Sequence, residues 1–271
     1  MRANFTFLGT GSSGGTPTIG CKCEVCCSKS PCNQRLRPAG LLRFENKVIL
    51  IDSGPDIRLQ SLRYGIDHLD GMIITHTHYD HIGGIDDLRS FNCRTKKPLP
   101  VLCSAASHDD LVRRYPYMFK LKSADACYTA RFMFQLFEHE RGIAHFHGIN
   151  FGYMTYHQGP MQVNGIRIGN FAYVSDIKRY HESIFTDLEG VEILVLSALR
   201  NSESYVHFSF ADAVEFSRKV GAKITYLTHL SHDIDHDEGN RLLPEEVRLG
   251  YDGLQFDFDY LRISDEKRID E

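Results

Sequence analysis

The sequence predicts an α/β protein whose chemistry gathers at the carboxyl ends of its strands. Three observations carry that expectation. Thr75-His76-Thr77-His78-Tyr79-Asp80-His81 holds three histidines and an aspartate between positions 76 and 81. The apolar run Met72-Ile73-Ile74 before it reads as a short buried strand, and Ile82-Gly83-Gly84-Ile85 after it reads as a turn opening a helix-like segment. Later apolar strands also end in metal-binding residue types, at His157, Asp176 and His229. Sheets of this class bind ligands outside the carboxyl ends of their strands. Imidazole and carboxylate together suit zinc, iron or manganese. The spacing lets His76 and His78 grip one ion while Asp80 and His81 face a second.

At 271 residues the chain can bury a full core, and neither a repeat nor a linker divides it. A single domain over residues 1–271 is therefore expected. Hydrophobic content of 42% and charged content of 24% are ordinary for a globular protein. No run approaches the roughly 18 apolar residues of a membrane span. Met1-Arg2-Ala3-Asn4-Phe5 leads straight into a strand-like alternation, so no membrane partner and a cytoplasmic location are expected. The net charge of -4 argues against a nucleic-acid partner, and Arg113-Arg114 and Arg94 to Lys97 read as solvated surface. Eight cysteines in a reducing compartment read as metal ligands rather than as a disulfide framework.

Taken in order, residues 4–9 form an opening strand. Gly9-Thr10-Gly11-Ser12-Ser13-Gly14-Gly15 follows without a P-loop Lys-Ser/Thr pair or an opening helix, and so reads as a tight loop of close backbone approach. Cys21-x-Cys23-x2-Cys26 puts three thiolates on one short loop, at about 20–33, near enough to share a tetrahedral zinc. A fourth ligand could come from Cys27, Cys32 or a distant histidine. Residues 41–52 read as a hairpin closed by Asp52, either a turn residue or a partner of the metal-ligand loop. Helices are expected at 56–64, at 85–91 and at 107–119, the last capped by Ser107, with a strand at 99–103. Residues 120–148 hold a strand near 132–137 and are expected to cover the mouth of the site; His145 and His147 read as surface residues. Strands follow at 152–157, at 171–175 (ending before Asp176), at 191–197 and at 223–228 before His229. Ser209 caps a helix containing Ala213, Val214 and Phe216, which leaves His207 on the loop at its entrance. Ser264 to Glu271 reads as a polar tail.

The His-x-His-x-Asp-His run, with His157, Asp176 and a late histidine after it, resembles the signature of the metallo-β-lactamase superfamily. That resemblance covers nearly the whole chain. It implies a four-layered αββα sandwich with a two-metal site along one edge. Gly9-Thr10-Gly11, Pro17 and Ile19-Gly20-Cys21-x-Cys23-x2-Cys26 are similar to the N-terminus of the PhnP-like phosphodiesterase branch. The resemblance implies a structural zinc on Cys21, Cys23, Cys26 and His232. It further implies one active-site ion on His76, His78 and His157, a second on Asp80, His81 and His229, and Asp176 bridging them. His207 would contact the phosphate and protonate the leaving oxygen. Gly250-Tyr251-Asp252-Gly253 is typical of the branch's C-terminus, and homodimers are common in the family.

Together these parts predict a metal-dependent phosphodiesterase with two divalent active-site metals, zinc or manganese. Two ions about 3.5–4 Å apart lower the pKa of a bridging water from 15.7 toward about 7, and the resulting hydroxide attacks a small cyclic or nucleotide-like phosphodiester. Asp80, which holds the second ion, and His207 are the expected catalytic residues. A tRNA 3′-processing endoribonuclease is the enzymatic alternative, disfavoured by the acidic balance and the lack of a Gly/Pro-rich arm. A zinc-stabilised binding protein without catalysis is the other, disfavoured by the intact ligand set.

Overall fold

A computed structural model describes residues 1–120 and 128–261. Seven strands make the first sheet: β1 (Arg2–Gly9), β2 (Ala39–Phe44), β3 (Lys47–Ile51), β4 (Gly71–Ile73), β5 (Leu99–Cys103) and β6 (Phe132–Leu136), with the last strand of the chain beside β1. The second sheet holds β7 (Arg141–Phe146), β8 (Ile149–Gln158), β9 (Met161–Ile168), β10 (Phe171–Val174), β11 (Ile193–Ser197), β12 (Ile224–Thr228) and β13 (Val247–Leu249). The chain then returns to the first sheet as β14 (Gln255–Asp259). Each sheet is half antiparallel and half parallel: the pairs from β3 to β6 and from β10 to β13 are parallel, the others antiparallel.

The helices are α1 (Glu24–Cys27), α2 (Ile57–Arg63), α3 (Tyr79–Ile82), α4 (Arg89–Thr95), α5 (Ala105–Arg114), α6 (Pro116–Lys120), α7 (Ile184–Asp187), α8 (Phe210–Val220) and α9 (His236–Leu242). Three apolar clusters define the layers. Phe5, Ile49 and Ile73 of one sheet meet Phe151, Ile166, Phe171 and Tyr173 of the other. Leu41, Leu50 and Met72, alternating with that inner set, pack outward under Ile57, Phe91 and Leu111 of α2, α4 and α5. Val174, Leu194 and Leu227 pack outward under Phe210, Ala213 and Phe216 of α8. The result is the expected αββα sandwich. Each fully buried large side chain contributes about 1.5–3 kcal/mol, so the three clusters together hold the layers in place.

Most element expectations hold within a residue or two, and the differences have local causes. β5 ends at Cys103, so Ser104 is the first residue able to cap the next helix; it accepts from Ser107 N at 3.2 Å, and Ser107 lies inside α5 rather than before it. Residues 132–136 and 141–146 are the outer strands of the two sheets. Part of the 107–148 stretch and the polar tail from Ser264 lie outside the described residues. Among the described residues no helix is long and apolar enough to cross a membrane.

Candidate metal centre

The parallel strands of both sheets end on one edge, and their following residues supply the site. β4 delivers Thr75 to His78, α3 carries Asp80 and His81, β10 leads to Asp176, and β12 leads to His229. Backbone contacts tie these ends together: Asn164 N donates to Thr75 O at 2.9 Å, and Asp52 N donates to Ile73 O at 2.9 Å.

The ring nitrogens are oriented before any ion is considered. Asp52, wholly buried, accepts from Thr75 N (2.8 Å), from the Thr75 hydroxyl (2.8 Å) and from His81 Nδ1 (2.7 Å). With its proton given to Asp52, the Thr75 oxygen can accept from His76 Nδ1 at 3.0 Å. These bonds fix both tautomers and turn both Nε2 atoms into the site. Of the two roles open to Asp52, turn residue or partner of the ligand loop, the structure therefore includes the second.

Those Nε2 atoms meet further ligand atoms. His76 Nε2 lies 3.0 Å from His78 Nδ1, close enough for the two nitrogens to share a proton or a cation. His81 Nε2 is 3.1 Å from Asp176 Oδ2 and 3.6 Å from Asp80 Oδ2. His229 Nε2 is 3.2 Å from Asp80 Oδ2 and 3.2 Å from Asp176 Oδ1. Asp176 thus reaches His81 with one oxygen and His229 with the other. Ligand atoms of His76, His81 and Asp176, of Asp80, His81 and His229, and of Asp176, His207 and His229 each fall within 4.8 Å of one another. His81 Nε2 and Asp176 Oδ2 are buried without a hydrogen-bond partner. Buried polar atoms left in that condition are rare, and a divalent ion would satisfy them. The donor set fits a divalent ion.

The carboxylates set the electrostatics of the site. Burial pushes His81 down, but Asp176, Asp80 and Asp52 outweigh it and carry the ring well above its usual range. Burial opposes ionisation of Asp176 and Asp80, yet His229 and His81 hold both well below the usual carboxylate range. Burial and the neighbouring His81 hold His76 well below its usual value, so it stands as a neutral ligand.

Among the described residues, neither His157 nor His78 is in a group whose ligand atoms all lie within 4.8 Å of one another. From Met154 to Gln158 the buried positions of β8 alternate, with Gln158 buried and His157 half-buried. His157 lines a cavity of about 440 Å³ with Thr77, Asp110, Arg113, Arg114 and Met161. Gln158 takes the inward place, with Nε2 3.3 Å from Asp176 Oδ1 and 2.9 Å from His207 Nε2. The sequence reading missed it because adjacent His and Gln at a strand end differ by one residue, and one residue reverses the face. The alternation Met154, Tyr156, Gln158 was the available signal.

His207 stands at the entrance to α8, whose capping box pairs Ser209 with Asp212. Its ring stacks on His229 with centroids 4.7 Å apart, and its Nδ1 is 3.5 Å from Asp176 Oδ1. Burial, then His229, push it down to about 4.

A second cluster lies on the loop around α1. Cys21 Sγ and Cys23 Sγ are each 3.5 Å from His232 Nδ1, and the sulfurs of Cys21, Cys23 and Cys26 lie within 4.8 Å of that nitrogen and of one another. Backbone N–H groups of Thr18 and Cys26 donate to Cys26 Sγ and Cys23 Sγ. The His232 bond lowers Cys23 to about 6, whereas burial raises Cys26 to about 11. The donor set fits tetrahedral zinc. Arg35 fastens the two halves: it is 1% exposed and donates to Ser231 O at 3.2 Å and Ile234 O at 2.7 Å, flanking His232. Cys27 is exposed, and neither it nor Cys32 joins the cluster.

The chain was compared with known proteins. The model of the beta-lactamase superfamily domain matches residues 47–230. An octanoyltransferase of Porphyromonas gingivalis (strain ATCC BAA-308 / W83) is 32% identical over 266 residues, 97% of this chain and 52% of that protein, so the chain spans about half its length. The crystal structure of a diphosphatase from the PhnP family superposes with a TM-score of 0.87 at 35% identity, covering 95% of this chain and 98% of that one. Human tRNase Z, short form, superposes at 0.64 with 18% identity over 93% and 98%, a likeness of fold.

Proposed function

As a member of the metallo-β-lactamase superfamily, in its PhnP-like branch, the chain belongs to a family of metal-dependent hydrolases, and we propose that it cleaves small phosphodiesters at a two-metal site. The observation that carries this reading is the convergence of buried His76, Asp80, His81, Asp176 and His229, with half-buried His78 beside His76 and His207 alongside. His76 and His78 would hold one ion, Asp80, His81 and His229 the other, and Asp176 both; zinc and manganese fit these atoms. Ions so placed would lower the pKa of water from 15.7 toward about 7 and supply hydroxide at neutral pH. Asp52 keeps His81 and, through Thr75, His76 in the productive tautomer. His207, neutral in its buried position, offers one ring N–H to charge developing on the substrate beside Asp176. An anionic phosphodiester suits such a site, and the diphosphatase neighbour also acts on a phosphoryl bond, as its name states. We further propose a structural zinc on Cys21, Cys23, Cys26 and His232.

The name of the bacterial relative, about half of whose length the chain spans, raises a second reading, transfer of an octanoyl group. Parallel assays of bis(4-nitrophenyl) phosphate and an octanoyl thioester separate the two. The proposal requires phosphodiester turnover that His207→Ala lowers about a hundredfold to ten-thousandfold. Thioester turnover without phosphodiester turnover would replace it with the acyl reading.

A further inference from the structure

We propose, on the strength of the two-metal reading above, that Asp110 is a positioning residue for the metal centre: through Thr77 it fixes the segment that presents His78. The Asp52 network orients His81 directly and His76 through Thr75, and its contacts stop short of His78. His78 is half-buried, and its Nδ1 meets His76. Its backbone, however, is held by α5. The Thr77 hydroxyl donates to Asp110 Oδ2 at 2.6 Å, and the Arg114 guanidinium donates to Thr77 O at 3.0 Å. Arg114 also pairs with the same Asp110 oxygen at 2.7 Å. Hydroxyl, carboxylate, guanidinium and carbonyl thus close a ring on Thr77, and that carbonyl belongs to the peptide bond joining Thr77 to His78.

Thr77 is 2% exposed and Asp110 8%, so water competes little for these bonds. Hydrogen bonds to charged groups are roughly twice as strong as neutral ones, and removing one partner leaves the others buried and unsatisfied. The anchor is itself well seated. Leu111, beside Asp110, is buried in the cluster that holds Met72 and Ile74, just before the histidine loop. Helix α5 is therefore packed against the strand that delivers the loop, and Asp110 carries its position to the peptide between two metal-binding histidines. Opening the ring should loosen the ion that His78 holds, while the cysteine-bound zinc stays in place. A purely structural pairing would lower the unfolding temperature without singling out one ion.

Competition titrations of Zn2+ against a chromogenic chelator, with metal content by mass spectrometry and thermal unfolding, test this on the full chain. Thr77→Val removes the hydroxyl at nearly constant volume, and Thr77→Ser keeps it. Asp110→Ala removes the carboxylate, and Arg114→Ala opens the ring at a side chain that is 42% exposed, where folding should survive. His78→Ala identifies which active-site ion His78 holds. Thr77→Val and Asp110→Ala should bind that ion about 10- to 100-fold more weakly, Arg114→Ala should weaken the same ion, and Thr77→Ser should bind it as wild type does. The assignment is overturned if Thr77→Val and Arg114→Ala both hold that ion with wild-type affinity, whatever their unfolding temperatures. It is equally overturned if Thr77→Ser is as weak as Thr77→Val, or if all the ions, the cysteine-bound zinc included, weaken alike. Fewer than two active-site ions in wild type would instead overturn the two-metal reading, and the assignment with it.

Discussion

Asp52, Asp176 and His229 all take the left-handed backbone conformation, with φ of 63°, 53° and 62°, although none is glycine. Each follows a parallel strand. Such conformations cost about 1–3 kcal/mol apiece and persist where the surroundings impose them, here with site contacts for all three. Asp52 carries the clearest consequence, because it holds His81 directly and His76 through Thr75. Asp52→Ala should lower active-site metal affinity about 10- to 100-fold, read by competition titration with a chromogenic chelator. Unchanged affinity would show that the ligand rings hold their orientation without it. At this scale the sequence displayed the donors His76, His78, Asp80, His81, Asp176 and His229, because each sits at a strand end or in the loop after one. It concealed Gln158, since the face of β8 depends on the last residue of pairing with β9, Gln158 with Met161.

Short elements hold the site's rim. The glycine-rich loop after β1 does bring backbones close, as expected: a Cβ on Gly11 would lie 2.9 Å from Arg35 O. Asp252 clasps this loop, accepting from Thr10 N (2.9 Å), the Thr10 hydroxyl (2.8 Å) and Leu36 N (2.8 Å). Leu230 N in turn donates to Thr10 O at 2.9 Å, next to His229. Asp252→Ala leaves buried donors unpaired and should destabilise the fold by about 1–3 kcal/mol in urea unfolding. Burial raises the Asp252 carboxyl to about 6, against the pull of the Leu36 and Thr10 donors. A folded-state pKa above the unfolded value of about 3.9 means that the fold retains the proton longer. The group's stabilisation is then complete below about pH 4 and is lost as pH rises through about 6. The stability advantage of wild type over Asp252→Asn should accordingly shrink between those values; an advantage that grows with pH would contradict the account. For the cysteine loop, Cys23→Ser should release one zinc and lower the unfolding temperature without altering the active-site pair. Loss of active-site metal in that variant would show that the two clusters are coupled. Helix α8 was legible from Ser209 and its apolar spacing, while the start of α5 was not, because Ser104 and Ser107 offer the same capping chemistry three residues apart.

The whole molecule is two half-antiparallel, half-parallel sheets whose parallel ends converge on one edge. That convergence is what brings residues as distant as Asp80 and His229 within 3.2 Å. The αββα layering could be anticipated only through the family signature; alternation alone gives strands and helices, not which sheet a strand joins. A net charge of -4 supplies no long-range attraction for a polyanion. Intact precursor tRNA should remain uncut under conditions where a small phosphodiester is hydrolysed, and cleavage of the RNA would favour the endoribonuclease alternative. The central claim, a two-metal phosphodiesterase beside a structural zinc, is tested most directly by metal stoichiometry measured together with turnover of bis(4-nitrophenyl) phosphate. The account predicts about three ions per chain and measurable turnover, with Asp80→Ala losing one ion and the activity together. Three ions without phosphodiester turnover, or an Asp80→Ala protein as active as wild type, would contradict it.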